Sequence, residues 1–233
     1  MKTINVAAKA GVPQQLRPMQ KFYMAVKAIV DFVIALVALI VLSPLFLVTA
    51  IAIKLDSPGP VFFVQKRIGR GGKEFNCIKF RSMSMEANHH VAGYQYPEVQ
   101  EHITKVGAFI RKTSIDELPQ LFSLLTFKMS LIGYRPSQAC ETELNQARES
   151  LGVLQVRPGI TGWAQINGRD LLAANPTHKA EYDAFYVQRL SPWMDLKIFF
   201  RTIPVVIKAA GYKEGEEAKH QPRCRKHSKK KAS

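Results

Sequence analysis

"AIVDFVIALVALIVLSPLFLVTAIAI" runs from Ala28 to Ile53, 26 residues with a single charge, Asp31. As one straight helix it would reach roughly 39 Å at about 1.5 Å per residue, beyond the roughly 30 Å of bilayer hydrocarbon. The run is longer than the core of a cleaved signal peptide and starts further from the N-terminus. It therefore reads as a membrane segment. One reading is a single spanning helix. Two features point instead to a re-entrant hairpin over residues 22–55. Ser43-Pro44 interrupts the run past its middle, and proline removes a backbone donor and clashes with the preceding turn. Both flanks are also basic. Residues 1–27 carry five Lys/Arg and no acid; residues 54–82 carry seven against Asp56 and Glu74. Basic flanks belong on the cytoplasmic side. Both ends obey that rule only if the segment turns at Ser43-Pro44 and leaves by the face it entered. Ser43 is available to satisfy backbone groups freed at the bend.

The whole chain repeats this basic bias. Of 233 residues, 33 are Lys/Arg and 18 Asp/Glu, a formal net charge of +15. Such a balance implies a polyanionic neighbour: nucleic acid, an anionic membrane surface or phosphorylated substrates. Cys77, Cys140 and Cys224 have no CxxC spacing. That excludes a disulfide framework and a cysteine zinc site, and suits a reducing compartment.

Outward from the membrane segment, residues 1–21 read as a flexible basic arm. Pro60–Met83 reads as two strands around Gly69-Arg70-Gly71-Gly72. That turn lacks the spacing of a phosphate-binding loop, but Lys66, Arg67, Lys79 and Arg81 stand ready to hold phosphates. His89-His90 lies in a polar loop with no further ligand at useful spacing. His102–Lys112 reads as a short amphipathic helix. Val156–Asp170, rich in glycine, is either a connecting loop or a backbone closing on a ligand with Arg157 and Arg169 aimed at phosphate. Ser191–Tyr212 mixes aromatics with Lys197 and Arg201, as an interfacial amphipathic helix does and a core helix seldom does. By composition, residues 211–233 read as a basic, disordered tail.

"RKTSIDELPQLFSLL" (Arg111–Leu125) carries adjacent carboxylates, Asp116 and Glu117. Ser114 and Glu117 fit a capping box, and Leu118, Leu121, Phe122 and Leu125 fall on one helical face. The alternative is chemistry: a helix start presenting two acids, with free amides where a phosphate would bind. These residues alone leave the two readings balanced.

In order, "LSPL" (Leu42–Leu45), "QKRIGRGGKEFNCIKFRSM" (Gln65–Met83), the Arg111–Leu125 stretch, "MSLIGYRP" (Met129–Pro136), "RPGITGWAQINGR" (Arg157–Arg169) and "YDAFYVQRLSPWMDLKI" (Tyr182–Ile198) resemble a known family. It is the monotopic polyprenyl-phosphate phosphoglycosyl transferases, or bacterial sugar transferases, and the resemblance covers roughly Phe22–Ile207. It implies a mixed α+β cytosolic domain with a small sheet, spanning 56–210, on the cytoplasmic face of the bacterial inner membrane. It also implies a re-entrant helix broken at Ser43-Pro44 and interfacial amphipathic helices. The implied reaction moves sugar-1-phosphate from a UDP-sugar to polyprenyl (undecaprenyl) phosphate, releasing UMP, at the start of exopolysaccharide, O-antigen or glycoprotein glycan assembly. Asp116 matches the family's nucleophile. Glu117, with Asp116, matches its magnesium site. Lys79, Arg111, Arg135, Arg157 and Asp183 match positions around the site, and Arg81, Asn167 and Arg169 join them as substrate-binding candidates. Asp31 reads as a structural partner for a flanking cation. Tyr134 stands where a common version of the family has proline, which would reshape the phosphate pocket. The chain corresponds to the family's minimal catalytic form, and a homodimer is compatible with it. The rival reading is a membrane-tethered protein that binds anionic lipid or nucleic acid; it leaves the Asp-Glu pair unexplained, and no nucleic-acid motif is present.

Overall fold

The computed structural model describes residues 15–85, 102–168 and 175–209. The arm before Gln15, His89-His90, Arg169 and the tail lie outside the described residues. The described residues form a mixed α/β architecture with eight α-helices and two small two-stranded sheets.

Helix α1 (Pro18–Val41) begins with proline in its first turn, where a missing N–H costs nothing. Helix α2 (Ser43–Asp56) follows after one residue. The break has a local cause. Pro44 cannot donate to the carbonyl of Ile40, four residues back, and Ser43 Oγ donates to that oxygen instead, at 2.8 Å. The Ser43 expectation holds at the level of this bond.

Helix α1 lies along the rest of the molecule. Gln20, Met24, Lys27, Asp31 and Ala35 form its buried stripe, one residue per turn on a single face. Gln20 donates to the carbonyls of Val187 and Gln188. Lys27 pairs with Asp195, which also accepts from Tyr23 and Tyr186. Asp31 accepts from Ser130 Oγ at 2.5 Å. The structural role expected of Asp31 is met by a hydroxyl. Leu16 and Gln20, assigned to the loose arm, are buried. On its other side α1 exposes Phe22, Val26, Ile29, Val30, Val33, Ile34, Val37 and Ile40.

Strands β1 (Phe62–Ile68) and β2 (Glu74–Phe80) form the expected antiparallel hairpin. Gly71 and Gly72, at φ 67° and 72°, make its turn. Helix α3 (Lys105–Lys112) is capped by Thr104, whose Oγ1 accepts from the Gly107 amide. A 3₁₀ turn (Ile115–Gln120) and the short α4 (Leu121–Leu125) come next. Strand β3 (Ser130–Ile132) pairs in parallel with β4 (Gly159–Thr161). Here two glycines are obligatory: a Cβ on Gly159 would sit 2.1 Å from the Gly133 nitrogen, and one on Gly133 2.5 Å from the Arg157 oxygen. Helices α5 (Thr142–Ser150), α6 (Trp163–Gly168), α7 (Pro176–Gln188) and α8 (Pro192–Ala209) complete the order.

The main core gathers Ile132, Tyr134, Val153, Leu154, Trp163, Tyr186 and Ile198 with Met24 of α1. A second cluster joins Phe75, Cys77, Leu121, Leu124 and Met129 to Ala35, and a third joins Ile53 of α2 to Phe80 and Ile110. The two apolar helices are thus part of the core. Helix α8 buries Met194 and Ile198 while exposing Trp193, Leu196, Phe199, Phe200 and Ile203.

Candidate active site

Asp116 and Glu117 sit in the 3₁₀ turn against β2. The capping box expected of Ser114 and Glu117 is not formed. Ser114 takes a left-handed conformation, φ 58°, and its side chain caps nothing. The stretch from Ile115 is 3₁₀ because Pro119 interrupts the donor series, so regular α geometry starts only at Leu121. The buried face is accordingly Leu121 and Leu124, and Phe122 faces outward. The turn replaces the expected helix start as the device that presents the acids.

Glu117 turns to the cations. Lys79 Nζ donates to its Oε1 at 2.9 Å. Arg135 grips it with both fork nitrogens, Nη2 to Oε1 at 2.6 Å and Nη1 to Oε2 at 3.2 Å. Burial alone would raise the Glu117 carboxyl. Arg135 and Lys79 outweigh it and hold the group well below the usual carboxylate range. The same pairing raises Arg135.

Asp116 is the opposite case. It makes no hydrogen bond or ion pair among the described residues. Burial pushes its carboxyl up to about 6, with Lys79, Arg111 and Arg135 pulling the other way and Glu117 adding to the rise. Two neighbouring acids are therefore driven apart, one locked and ionised, the other open and titrating near neutrality. Such a split marks carboxylates with separate chemical roles. Cys77 lies within the same field, but burial raises its thiol, so it is no rival nucleophile.

Of the sequence-predicted residues, the structure brings together Asp116, Glu117, Lys79, Arg111 and Arg135. Others go elsewhere. Arg81 is buried and clamps the end of α2, donating to the carbonyls of Ser57 and Pro58 at 2.7 and 2.6 Å. Asp183 is sealed against Arg148 at 2.7 Å, with side chains 1% and 0% exposed. The structure thus places Arg81 against the end of α2, with its Nε buried and unpartnered among the described residues, and Asp183 in a closed pair with Arg148, both apart from the carboxylate pair. Arg157 donates to the Met24 carbonyl at 3.1 Å, on the α1 side of the molecule. Asn167 is exposed and bonds to the Trp163 carbonyl within its own helix. Arg148 escaped sequence reasoning. The signal was present: it stands four residues after Leu144 on the buried face of α5. Cys140 is disulfide-bonded, against the reducing compartment that the cysteine spacing suggested.

No cluster of three or more His, Cys, Asp or Glu able to hold a metal occurs among the described residues. Magnesium takes one or two carboxylates and fills its shell with water and phosphate oxygens; Asp116 has the open carboxylate for it, whereas both Glu117 oxygens are already engaged by Lys79 and Arg135.

The sequence profile described as bacterial sugar transferase matches residues 22–209. Among curated proteins, the chain is 41% identical over 195 residues to a UDP-N-acetylgalactosamine-undecaprenyl-phosphate N-acetylgalactosaminephosphotransferase of Aeromonas hydrophila, covering 81% of this chain and 45% of that protein. It is 42% identical to a UDP-glucose:undecaprenyl-phosphate glucose-1-phosphate transferase of Xanthomonas campestris pv. campestris, covering 78% and 38%. It is 36% identical to the exopolysaccharide production protein ExoY of Sinorhizobium fredii, covering 86% and 93%. The chain spans less than half the length of the first two and nearly all of the third.

Proposed function

The chain belongs to the bacterial sugar transferase family, and from that premise we propose that it transfers sugar-1-phosphate from a UDP-sugar to undecaprenyl phosphate. The observation that carries this reading is the divergence of Asp116 and Glu117. A free carboxylate beside a fully neutralised one, amid three cations, suits nucleophilic attack on an anionic diphosphate.

In the first step an Asp116 oxygen bonds to the sugar-bearing phosphorus, the bond from that phosphorus to the bridging oxygen breaks, and UMP leaves with the bridging oxygen. An acyl-phosphate sugar remains on Asp116. In the second step a phosphate oxygen of the polyprenyl acceptor attacks the same phosphorus. The Asp116 carboxylate is released and the polyprenyl-diphosphate sugar departs. Lys79 and Arg135, oriented by Glu117, place positive charge where phosphate oxygens gather, and Arg111 adds a further cation. Magnesium on the open Asp116 carboxylate would neutralise diphosphate oxygens and ease departure of UMP.

The fold supports a monotopic placement on the cytoplasmic face. Buried contacts to α1 extend from Gln20 to Ala35, and Ala38, Leu39 and Leu42 also pack on the core. From 20 to 42 is roughly 33 Å of helix. Contacts along that length favour a helix that stays with the domain over one that crosses the bilayer away from it. Lying partly immersed, with the α1–α2 break inward and the exposed aromatics of α8 at the interface, fits the contacts. The pathway served is the opening membrane step of exopolysaccharide or lipopolysaccharide assembly.

The test is a half-reaction. Purified chain with UDP-sugar and magnesium, but no acceptor, should release about one UMP per active site and carry a sugar-phosphate adduct on Asp116. UMP release that needs acceptor would replace the covalent route by direct transfer. No release under either condition, with UDP-glucose and UDP-N-acetylgalactosamine both tried, would end the transferase reading.

A further inference from the structure

A cavity of about 540 Å³ opens between the start of α1, the tip of the β1–β2 hairpin and the turn after α4. Asp116, Glu117, Lys79 and Arg135 do not line it. Its wall residue Phe75 and the site residue Lys79 are four positions apart on β2, roughly 13 Å of strand.

Five cations line this cavity, Lys21, Arg70, Lys73, Lys128 and Arg157, against one acid, Glu74. Glu74 is engaged by Lys66 at 3.3 Å. Lys21, Arg70, Lys73 and Lys128 have no ion pair or side-chain hydrogen bond among the described residues. Arg157 is pushed down by burial, with the Asp31 carboxylate pulling the other way and the Arg70 charge adding a smaller push downward. Between them the floor is apolar: Met24, Ala25, Ala28, Phe75 and Phe127. Phe127 is held at φ 56°, unfavourable for a bulky residue, and stacks on Phe32 at 5.7 Å. The floor runs on into the exposed apolar face of α1 at Val26, Ile29 and Val30.

Converging unpaired cations ask for an anion. Free phosphate would satisfy them and leave the apolar floor bare. A phosphate borne on an alkyl chain satisfies both. We propose that this cavity binds the phosphate headgroup of an anionic bilayer phospholipid, with its acyl chains running along the outward face of α1. The acceptor shares this chemistry. None of Asp116, Glu117, Lys79 and Arg135 lines this cavity, however, so the lipid is assigned here as a resident that fixes the depth of α1. The inference rests on the membrane placement proposed above and is independent of the transfer chemistry.

The test uses the full chain in phosphatidylcholine nanodiscs containing phosphatidylglycerol with a photoactivatable acyl chain. Adducts should map to Met24–Ala28 and Phe127. They should fall about tenfold or more in Lys73→Ala/Lys128→Ala, since each headgroup-level lysine contributes substantially, and should persist in Lys73→Arg/Lys128→Arg. Excess inorganic phosphate or undecaprenyl phosphate should not displace them. Adducts spread evenly over α1 and α2, insensitivity to the alanine pair, or displacement by either competitor would overturn the proposal. Transfer activity is measured in the same nanodiscs. An inactive chain with intact, lysine-dependent adducts would sink the transferase reading and uphold the lipid site.

Discussion

Two ion-paired carboxylates, Glu117 and Asp183, sit in one domain and look alike in sequence. Arg135 and Lys79 hold Glu117 in a cluster whose side chains are 16–30% exposed, with unpaired Asp116 alongside. Arg148 holds Asp183 in complete burial, further tied to Ser137 and roofed by the Tyr134 ring at 4.8 Å. The first region is left unfinished on one side, where a substrate oxygen can complete it. The second has no open side. Completeness of pairing, more than the presence of charge, separates a chemical centre from a structural one.

The comparison breaks most sharply at Asp116. Asp116→Asn should lower transfer by at least about 10⁴-fold, as removal of a nucleophile does, with the fold intact by circular dichroism. It should also be at least as stable as the parent above pH 6. The folded Asp116 titrates at about 6, above its unfolded value. The folded state therefore holds the extra proton between those values, and its stability falls as pH rises through that window. Thermal melts at pH 5 and pH 8 would read the difference.

Asp183→Ala should act on the other ledger. It leaves the Arg148 guanidinium buried without a counter-charge and should cost about 3–5 kcal/mol in denaturant unfolding. Arg148→Met/Asp183→Leu should recover most of that loss. Activity per folded molecule should stay within a few-fold of the parent. A folded Asp183→Ala protein without activity would place Asp183 among the substrate contacts and undo the distinction.

A smaller effect is expected at Lys79, which pairs with Glu117 and lowers the Asp116 carboxyl. Lys79→Met should reduce transfer by about 10–100-fold at pH 7, a range typical for loss of one preorganised charge. It should also move the acid limb of the pH–rate profile upward from about 6. An unmoved limb would detach Asp116 ionisation from catalysis. Smallest is Tyr134→Phe. The hydroxyl is buried without a partner among the described residues and the ring alone meets Arg148, so stability should change by less than about 0.5 kcal/mol or rise slightly.

Legibility followed distance along the chain. The β1–β2 hairpin, the helix expected over 102–112 and found over 105–112, the Ser43-Pro44 break and the Asp116-Glu117 pair were readable because each depends on neighbours a few residues away. The capping box was misread because Ser114 adopts a left-handed backbone that spacing does not reveal. Arg81 and Arg157 were grouped with the site by their charge, Arg157 and Asp183 also through resemblance, yet their partners are Ser57, Met24 and Arg148. The polar stripe of α1 was visible only as Asp31, since what makes it a stripe is the set of remote groups it meets.

By itself, the sequence determined that an apolar segment broken by proline joins a basic domain bearing two adjacent acids, and which family such an order of motifs resembles. Composition, periodicity and backbone chemistry act locally, so a string of residues suffices for them. Only the tertiary structure decided which acid is paired and which is open, that α1 lies along the domain, and where the unpaired cations converge. Those outcomes depend on burial and on contacts between residues up to 172 positions apart, as between Tyr23 and Asp195, and desolvation and Coulomb attraction act through space instead of along the chain.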